Sequence, residues 1–352
     1  MPAATAPAHL STIAARVDVR IATLLDGEIA RWKLVNPALE DPLQSLRALV
    51  LAGGKRLRPA FCHWAFVGTG GPADDPRVID VGAGLELLHT FALVHDDIMD
   101  GSATRRGMAA VHQQFIETHD SAGWSGEARR FGEGVAILVG DLAFVYADLL
   151  LAGVSAEAMA VFTELRIEVN IGQYLDLLGT ARGHPTVEDA RQICVYKSGK
   201  YTVERPLHLG AALNGGLHRF AAPLTGYGIP LGEAFQLRDD LLGALGDGGI
   251  TGKPVGDDLR EGKPTALVAL ALTAATPAQA KRLAKIGNAD LSDAQITDLQ
   301  QILVDTGAVA AVEAAIARLR DEAIAVIGSS GLHTGAIYAL VELAYFVTDR
   351  DH

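Results

Sequence analysis

Apolar residues recur at intervals of three and four along almost the whole chain, and alternation of the strand type never lasts beyond a few residues. Such intervals collect side chains on one helix face, whereas a half-buried strand needs a period of two. The pattern predicts helices over Ile13 to Val35, Gln44 to Leu51, Arg58 to Val67, Val78 to Met99, Val135 to Ala152 and Ala156 to Leu178. It continues through Val187 to Asn214, Pro230 to Leu245, Pro264 to Leu272, Pro277 to Ile286, Asp293 to Thr306, Ala308 to Ile327 and Thr334 to Asp349. Aromatic residues make up only 6%, while the helix formers Ala and Leu abound. Residues 1–12, rich in Ala and Pro, read as a loose tail, with Ser11 or Thr12 suited to cap the first helix. No solenoid repeat and no break in composition appears, so residues 13–352 read as one all-α domain.

Two of these helices carry carboxylates where an apolar helix should have none. LELLHTFALVHDDIMD (Leu85 to Asp100) is mostly apolar until Asp96, Asp97 and Asp100, and FQLRDDLLGALG (Phe235 to Gly246) encloses Asp239 and Asp240. At about 100° per residue, the first three aspartates share an arc of about 100°. An acidic cluster on a helix is most often a solvated face. Here the apolar flanks put the carboxylates at the edge of a core, where uncompensated charge is expensive and a cation is the simplest remedy. Oxygen ligands without His or Cys select a hard cation such as magnesium, which commonly shares its carboxylates with a phosphate-bearing substrate.

The net charge of −12 at pH 7 speaks against a nucleic-acid partner. Within that acidic chain, basic residues gather in GGKRLRP (Gly53 to Pro59: Lys55, Arg56, Arg58) and at Arg105 and Arg106, just beyond Asp100. Such clusters suggest local anion sites, with two glycines letting backbone approach and Pro59 in an early helical turn. Hydrophobic residues reach 49%, enough for a large core, yet no run approaches the ~20 uninterrupted apolar residues of a membrane span. Asp141 and Asp148 interrupt the most apolar window, Val135 to Ala152. The N-terminus shows no charged start followed by an apolar core, and Cys62 and Cys194 give neither a disulfide framework nor zinc spacing. A cytoplasmic protein with packed thiols is expected. His95 and His112 read as structural, hydrogen-bonded residues, and GDGGITGKPVGDD (Gly246 to Asp258) as a candidate lid.

Assembled in order, these pieces resemble the trans-isoprenyl diphosphate synthases, or polyprenyl synthetase family, from about Leu46 onward. The resemblance rests on GGKRLRP, ELLHTFALVHDDIMDGSATRRG (Glu86 to Gly107), GQYLDL (Gly172 to Leu177), YKSGKYT (Tyr196 to Thr202), FQLRDD (Phe235 to Asp240) and TGKPVGDDLREGKPT (Thr251 to Thr265). It implies a helical bundle of the isoprenoid synthase type around a central apolar cavity. It also implies a magnesium-dependent condensation of isopentenyl diphosphate with an allylic diphosphate (dimethylallyl, geranyl or farnesyl), giving a short all-trans prenyl diphosphate. Residue roles follow by matching. Lys55, Arg58, His89 and Arg106 match positions that hold isopentenyl diphosphate, and Asp96, Asp97, Asp100 and Asp239 match metal ligands, with Asp240 beside them. Arg105, Lys197, Lys253 and Lys263 match contacts to the allylic diphosphate, with Ser198 and Gln236 as polar neighbours. Gln173 and Asp176 match positions lining the cavity. Asp96, Asp97, Arg105, Lys197, Asp239 and Lys253 are the catalytic set so implied, and a homodimer is expected.

Where the family's second motif often reads DDxxD, this chain has Gly243 at the fifth position, and Asp247 or Asp257 could compensate. Two other readings remain. A class I terpene cyclase would also ionise an allylic diphosphate, but would lack GGKRLRP and Arg106 and carry an N…S…E metal triad that is not found here. A non-catalytic partner subunit would show eroded acidic motifs, for which Gly243 is the only support. Product length depends on the floor below the first acidic motif. Ala92 and Leu88 lie about 6 and 12 Å before Asp96 along the helix. Phe91, the aromatic at the fifth position before Asp96, with the small neighbour Ala92 and no insertion in DDIMD, is similar to the geranylgeranyl type; farnesyl diphosphate is the runner-up, and a product one unit longer than geranylgeranyl is the third alternative.

Overall fold

The computed structural model describes residues 6–183, 185–246 and 256–349. Among them the chain is almost entirely helical, and its strands are a single antiparallel pair of two residues each, β1 (Thr104–Arg105) and β2 (Met108–Ala109). Close contacts divide the described residues into two compact units, one of residues 8–63 and 73–154, the other of residues 6–7 and 64–72 with the described residues from 155 onward. The division falls inside helix α3 (Leu57–Gly68).

The first unit holds α1 (Ala8–Lys33), α2 (Glu40–Leu51), α4 (Pro76–Asp100), α5 (Val111–Ser121) and α6 (Ala128–Leu151). On α1 the residues Leu10, Ile13, Val17, Ile21, Leu25 and Ile29 form one buried stripe at helical spacing, which fixes the inward face. Helix α4 is the core element, buried on nearly every side from Val78 to Leu88. It packs against α6 through notches where a side chain is missing: a Cβ on Gly84 would strike Leu151, and one on Gly140 would strike the His95 ring. Gly132 does the same for α5, whose His112 carbonyl occupies the place of a Cβ. The opposite side of α6 is an apolar stripe that stays exposed, with Leu138 at 62%, Val145 at 57% and Leu149 at 55%. By length and hydropathy α4 and α6 could each cross a membrane, although 67% of the apolar window of α4 is buried within the protein.

The second unit holds α7 (Ala156–Arg182), α8 (Val187–Ile193), a π-helix (Cys194–Glu204), α9 (Arg205–Leu213), α10 (Leu217–Leu245), α11 (Asp257–Glu261), α12 (Ala266–Ala274), α13 (Pro277–Leu283), α14 (Asp293–Asp305), α15 (Ala308–Gly328) and α16 (Thr334–Thr348). Helix α10 is its axis, flanked by the π-helix, α15 and α16. The fully buried Tyr227 donates from its hydroxyl to the Leu340 carbonyl at 2.7 Å, and Arg238 donates to the Thr348 carbonyl at 2.7 Å, so α16 is pinned at two levels.

Several sequence expectations need correction. Helix α1 begins at Ala8, so residues 8–12 belong to it, and Thr12 donates to the Ala8 carbonyl instead of capping. Helix α10 starts at Leu217 and runs through Pro223 and Pro230, where Pro230 was expected to open it. A proline inside a helix removes one hydrogen bond and favours a kink. The burial of Phe220, Leu224, Tyr227 and Leu231 on one face carries the helix across both. Helices α5 and α11 and the hairpin were not anticipated at all.

Candidate active site

In the first unit, α4 ends where Gly101 takes a left-handed conformation (φ 68°) and returns its N–H to the Asp97 carbonyl. The chain then folds back as the hairpin β1–β2. Its two-residue turn is Arg106–Gly107, both with positive φ (53° and 75°), the requirement of a type I′ turn. This turn separates two adjacent arginines. Arg105 points back to α4 and donates from Nε to Asp97 Oδ1 at 2.8 Å, with Nη2 on the same oxygen and 3.8 Å from Asp96. Arg106 instead donates to the Leu49 carbonyl at 3.0 Å, and its guanidinium lies 3.1 Å from where a Cβ on Gly54 would be. Gly54, at φ 145°, is thus both a bend and a space for that arginine.

Asp97 is buried, and its Oδ2 has no hydrogen-bond partner. Burial raises its pKa, Arg105 opposes that rise, and the charge on Asp96 adds to it. Burial disfavours charge on Arg105 too, but Asp97, Asp96 and Asp100 more than offset it and hold the guanidinium protonated. Beside this acidic end lies a positive pocket. Burial lowers the His89 pKa well below the ordinary value, and Arg58, Arg106, Arg105 and Arg56 lower it further, so the imidazole is neutral among guanidiniums. Lys55 is exposed on the same loop. Arg56, within the same basic cluster, turns inward: it is buried, and bonds Asp18 and Glu86 at 2.8 Å and the Val50 carbonyl at 2.5 Å. Its role is to tie α1, α2 and α4 together.

In the second unit, Lys197 on the π-helix lies 2.6 Å from Asp176 of α7, while Ser198 and Gln173 are partly buried nearby in sequence. On α10, Gln236 donates to Asp240 at 2.7 Å, and Asp239 is partly exposed. Burial pushes the Asp240 pKa up to about 7, the Gln236 hydrogen bond opposes it, and Asp258 and Asp239 raise it further. Lys263 lies 2.8 Å from Asp258 and 2.9 Å from Glu261, whose charges outweigh burial and hold it protonated. Lys253 and Asp247, with most of the expected lid, lie outside the described residues. Of the two positions expected to compensate for Gly243, Asp247 is among those undescribed residues, and next to Asp257 it is Asp258 whose carboxylate would coincide with a Cβ on Gly243. Sequence reasoning missed Asp258; its signal was the acidic pair five positions before Lys263 in the last motif.

The first unit brings Arg58, His89, Arg105 and Arg106 together around α4, and the second gathers Gln236, Asp239, Asp240, Asp258 and Lys263 around the end of α10. Among the described residues, no three His, Cys, Asp or Glu side chains already converge as a metal cage. Yet a buried carboxylate oxygen without a donor, beside a second carboxylate, is a donor set that a hard oxygen-seeking cation fits. Of the chain-length residues, Leu88 is buried, Ala92 is partly exposed, and Phe91 stacks edge-on against His95 (4.6 Å) and Phe144 of α6 (5.0 Å). His95 Nε2 lies 3.1 Å from the Ile137 carbonyl, and both cysteines are buried thiols.

Comparison with known proteins resolves the family. The family described as Polyprenyl synthetase matches residues 40–304. The chain belongs to the polyprenyl synthetase family. As a member it is a trans-prenyltransferase. It is 33% identical over 322 residues to a short chain isoprenyl diphosphate synthase of Methanothermobacter thermautotrophicus, covering 89% of this chain and 91% of that one. It is 37% identical to a geranylgeranyl diphosphate synthase of Mycobacterium tuberculosis, over 64% of this chain and 61% of the other. In structure it is similar to the geranylgeranyl pyrophosphate synthase of Corynebacterium glutamicum complexed with isoprenyl diphosphate and magnesium, with a TM-score of 0.92, 37% identity, and coverage of 97% and 99%.

The Gly243–Asp258 contact predicts a coupled pair. Gly243→Ala should displace Asp258 from Lys263 and cost about 1–3 kcal/mol of stability, as overpacking does. Gly243→Ala combined with Asp258→Ala should recover most of that loss, read by denaturant unfolding of the four variants in a double-mutant cycle. Strictly additive losses would contradict the contact.

Proposed function

We propose that this member condenses isopentenyl diphosphate with an allylic diphosphate, and that its main product is geranylgeranyl diphosphate. The observation that carries this reading is the pairing at the end of α4, where Arg105 holds one oxygen of Asp97 and leaves the other buried without a donor. Asp96, Asp97, Asp100 and Asp239 would hold magnesium, which when bound offsets the charge that gathers on a departing diphosphate. By their places in the motifs Arg105, Lys197 and Lys263 are assigned to the allylic diphosphate, where fixed positive charge lowers the barrier as negative charge develops. Lys253, outside the described residues, is assigned to the same group by its place in the motif. Arg58, His89 and Arg106, with Lys55, take isopentenyl diphosphate; a neutral His89 donates a hydrogen bond there without repelling its arginine neighbours. Apolar residues along α4 shelter the carbocation left by ionisation from water. Its attack by the isopentenyl double bond and the loss of one proton complete the step, and the released diphosphate is the base.

Purified protein with magnesium, labelled isopentenyl diphosphate and geranyl or farnesyl diphosphate should yield a longer prenyl diphosphate. A hydrocarbon formed from the allylic diphosphate alone would mean a cyclase, and no turnover a partner subunit. Asp96→Ala and Asp239→Ala should each lower kcat by on the order of a hundredfold or more, the scale of losing one charge-stabilising group. Near-normal rates in excess magnesium would remove both from the metal site.

Product length follows from the floor. Phe91 is braced by Phe144 and so cannot swing aside freely. Phe91→Ala should lengthen the product and Ala92→Phe should shorten it, as resolved by mass spectrometry. The same product from the wild type and both variants would place the floor elsewhere.

We also propose a cytoplasmic homodimer that buries the exposed apolar stripe of α6, since a patch of this kind on a folded chain marks an interface. Light scattering should give twice the 37.0 kDa chain mass, falling to the single mass for Leu138→Glu with Val145→Glu. A wild-type monomer would end that proposal.

A further inference from the structure

Lys197 rides on a π-helix eleven residues long, Cys194–Glu204. Such helices are rare, occur mostly as single turns, and persist where their surroundings hold them. Here two neighbours press on the backbone itself. A Cβ on Gly172 of α7 would strike the Lys197 backbone, one on Gly232 of α10 would strike Gly199, and one on Gly228 would lie 2.7 Å from Glu204 Cα. At these three points backbone meets backbone, so the contacts fix the distance between helices without themselves fixing how one lies along the other.

Charge supplies what the glycines do not. Lys200, one turn beyond Lys197, has its Nζ 2.9 Å from both Glu168 of α7 and Glu204. Glu168 also accepts from Arg205 at 2.6 and 2.7 Å, and Glu204 accepts from Thr225 of α10 at 2.9 Å. Thr225 in turn meets His208 Nε2 at 3.0 Å. Glu168 and Glu204 are buried, and the set balances two anions with two cations. Burial works against the charge on Glu168 and on Lys200, but their contacts hold Glu168 below and Lys200 above its ordinary pKa, so both are ionised. Buried ion pairs are poor stabilisers compared with apolar packing of the same volume, and their best-attested use is to fix register. Lys200 to Glu168 and Lys197 to Asp176 are two bonds from one π-helix to one partner helix, so setting the first sets the reach of the second.

We infer that the Glu168–Lys200–Glu204–Arg205 network fixes the register of the π-helix and thereby places the Lys197 ammonium for the allylic diphosphate, with Lys200 and Glu168 as positioning residues. The inference rests on the reading of Lys197 as a contact to that diphosphate.

The test compares steady-state constants for both substrates, in the full-length protein with magnesium, across Lys197→Ala, Lys200→Met, Lys200→Arg and the charge-balanced pair Lys200→Met with Glu204→Gln. Lys197→Ala should raise the KM for the allylic diphosphate and leave that for isopentenyl diphosphate within about twofold. The balanced pair, which leaves no unpaired buried charge if Lys200→Met alone folds poorly, should raise the allylic KM about tenfold, the scale of a small misplacement. Its melting temperature should move by no more than a few degrees, and Lys200→Arg should restore most of the allylic KM. An unchanged allylic KM in the balanced pair, beside a raised one in Lys197→Ala, overturns the positioning role. Equal changes in both KM values that track the melting temperature reduce the network to plain stability. An unchanged allylic KM in Lys197→Ala removes the reading of Lys197, and this inference with it.

Discussion

Burying Asp97 obliges the chain to carry Arg105 back to it. A carboxylate at the inner end of an apolar helix, without a cation, is among the more expensive things a fold can contain. Much of the local architecture serves that one contact. Gly101 stops α4 in a left-handed cap, the two-residue strands reverse the chain, and the turn at Arg106–Gly107 accepts positive φ at both residues. Because Arg105 ends the strand while Arg106 opens the turn at positive φ, the same hairpin that brings Arg105 to Asp97 carries Arg106 toward Gly54 and the Leu49 carbonyl. One structural necessity thus yields two differently placed guanidiniums.

Missing side chains organise the rest. Where α4 meets α6, where α5 meets α6, and where the π-helix meets α7 and α10, a glycine stands at the point of closest approach. Close approach brings backbone and polar groups near each other in a dry interior, which strengthens every charge pair formed there. At the π-helix, where backbone meets backbone, the glycine contacts themselves do little to fix register. The units settle register through polar contacts instead: His95 to the Ile137 carbonyl in one, and the Glu168–Lys200–Glu204 set in the other.

The long helices were legible because burial imposes a period on α1, α6, α7, α15 and α16, each with a continuous inward face, and because α4 is apolar nearly all round. Their ends were less legible. The start of α10 was hidden because Pro230 mimics a helix opening, and tertiary burial on either side of it leaves no local mark. Helix α5 is short and polar on its outer face, so its period is weak. The residues around Asp96 and Asp239 could be named from the sequence because charge in an apolar run is conspicuous. Arg56 could not be told from Lys55 and Arg58 by the same signal, since its inward turn depends on a backbone φ of 48° and on acceptors far along the chain, Asp18 and Glu86. The π-helix leaves no sequence period of its own, and its length becomes intelligible only from the glycines of two other helices.

Gly243 shows why a departure from a family pattern must be read in three dimensions. In sequence it is a lost carboxylate, and it was the one feature that favoured a silent partner subunit. In the folded chain the place of its side chain is taken by Asp258, which Lys263 holds at 2.8 Å and whose charge already acts on Asp240. A carboxylate has therefore changed its position in the sequence more than its position in space. An aspartate at 243 would also have to share that volume with Asp258, bringing a further negative charge to a place where Asp258 and Asp239 already add to the cost of ionising the buried Asp240. Glycine at 243 and aspartate at 258 are better understood as one arrangement than as a loss and a coincidence, and the acidic end of α10 keeps its character without a carboxylate at the fifth position of the motif.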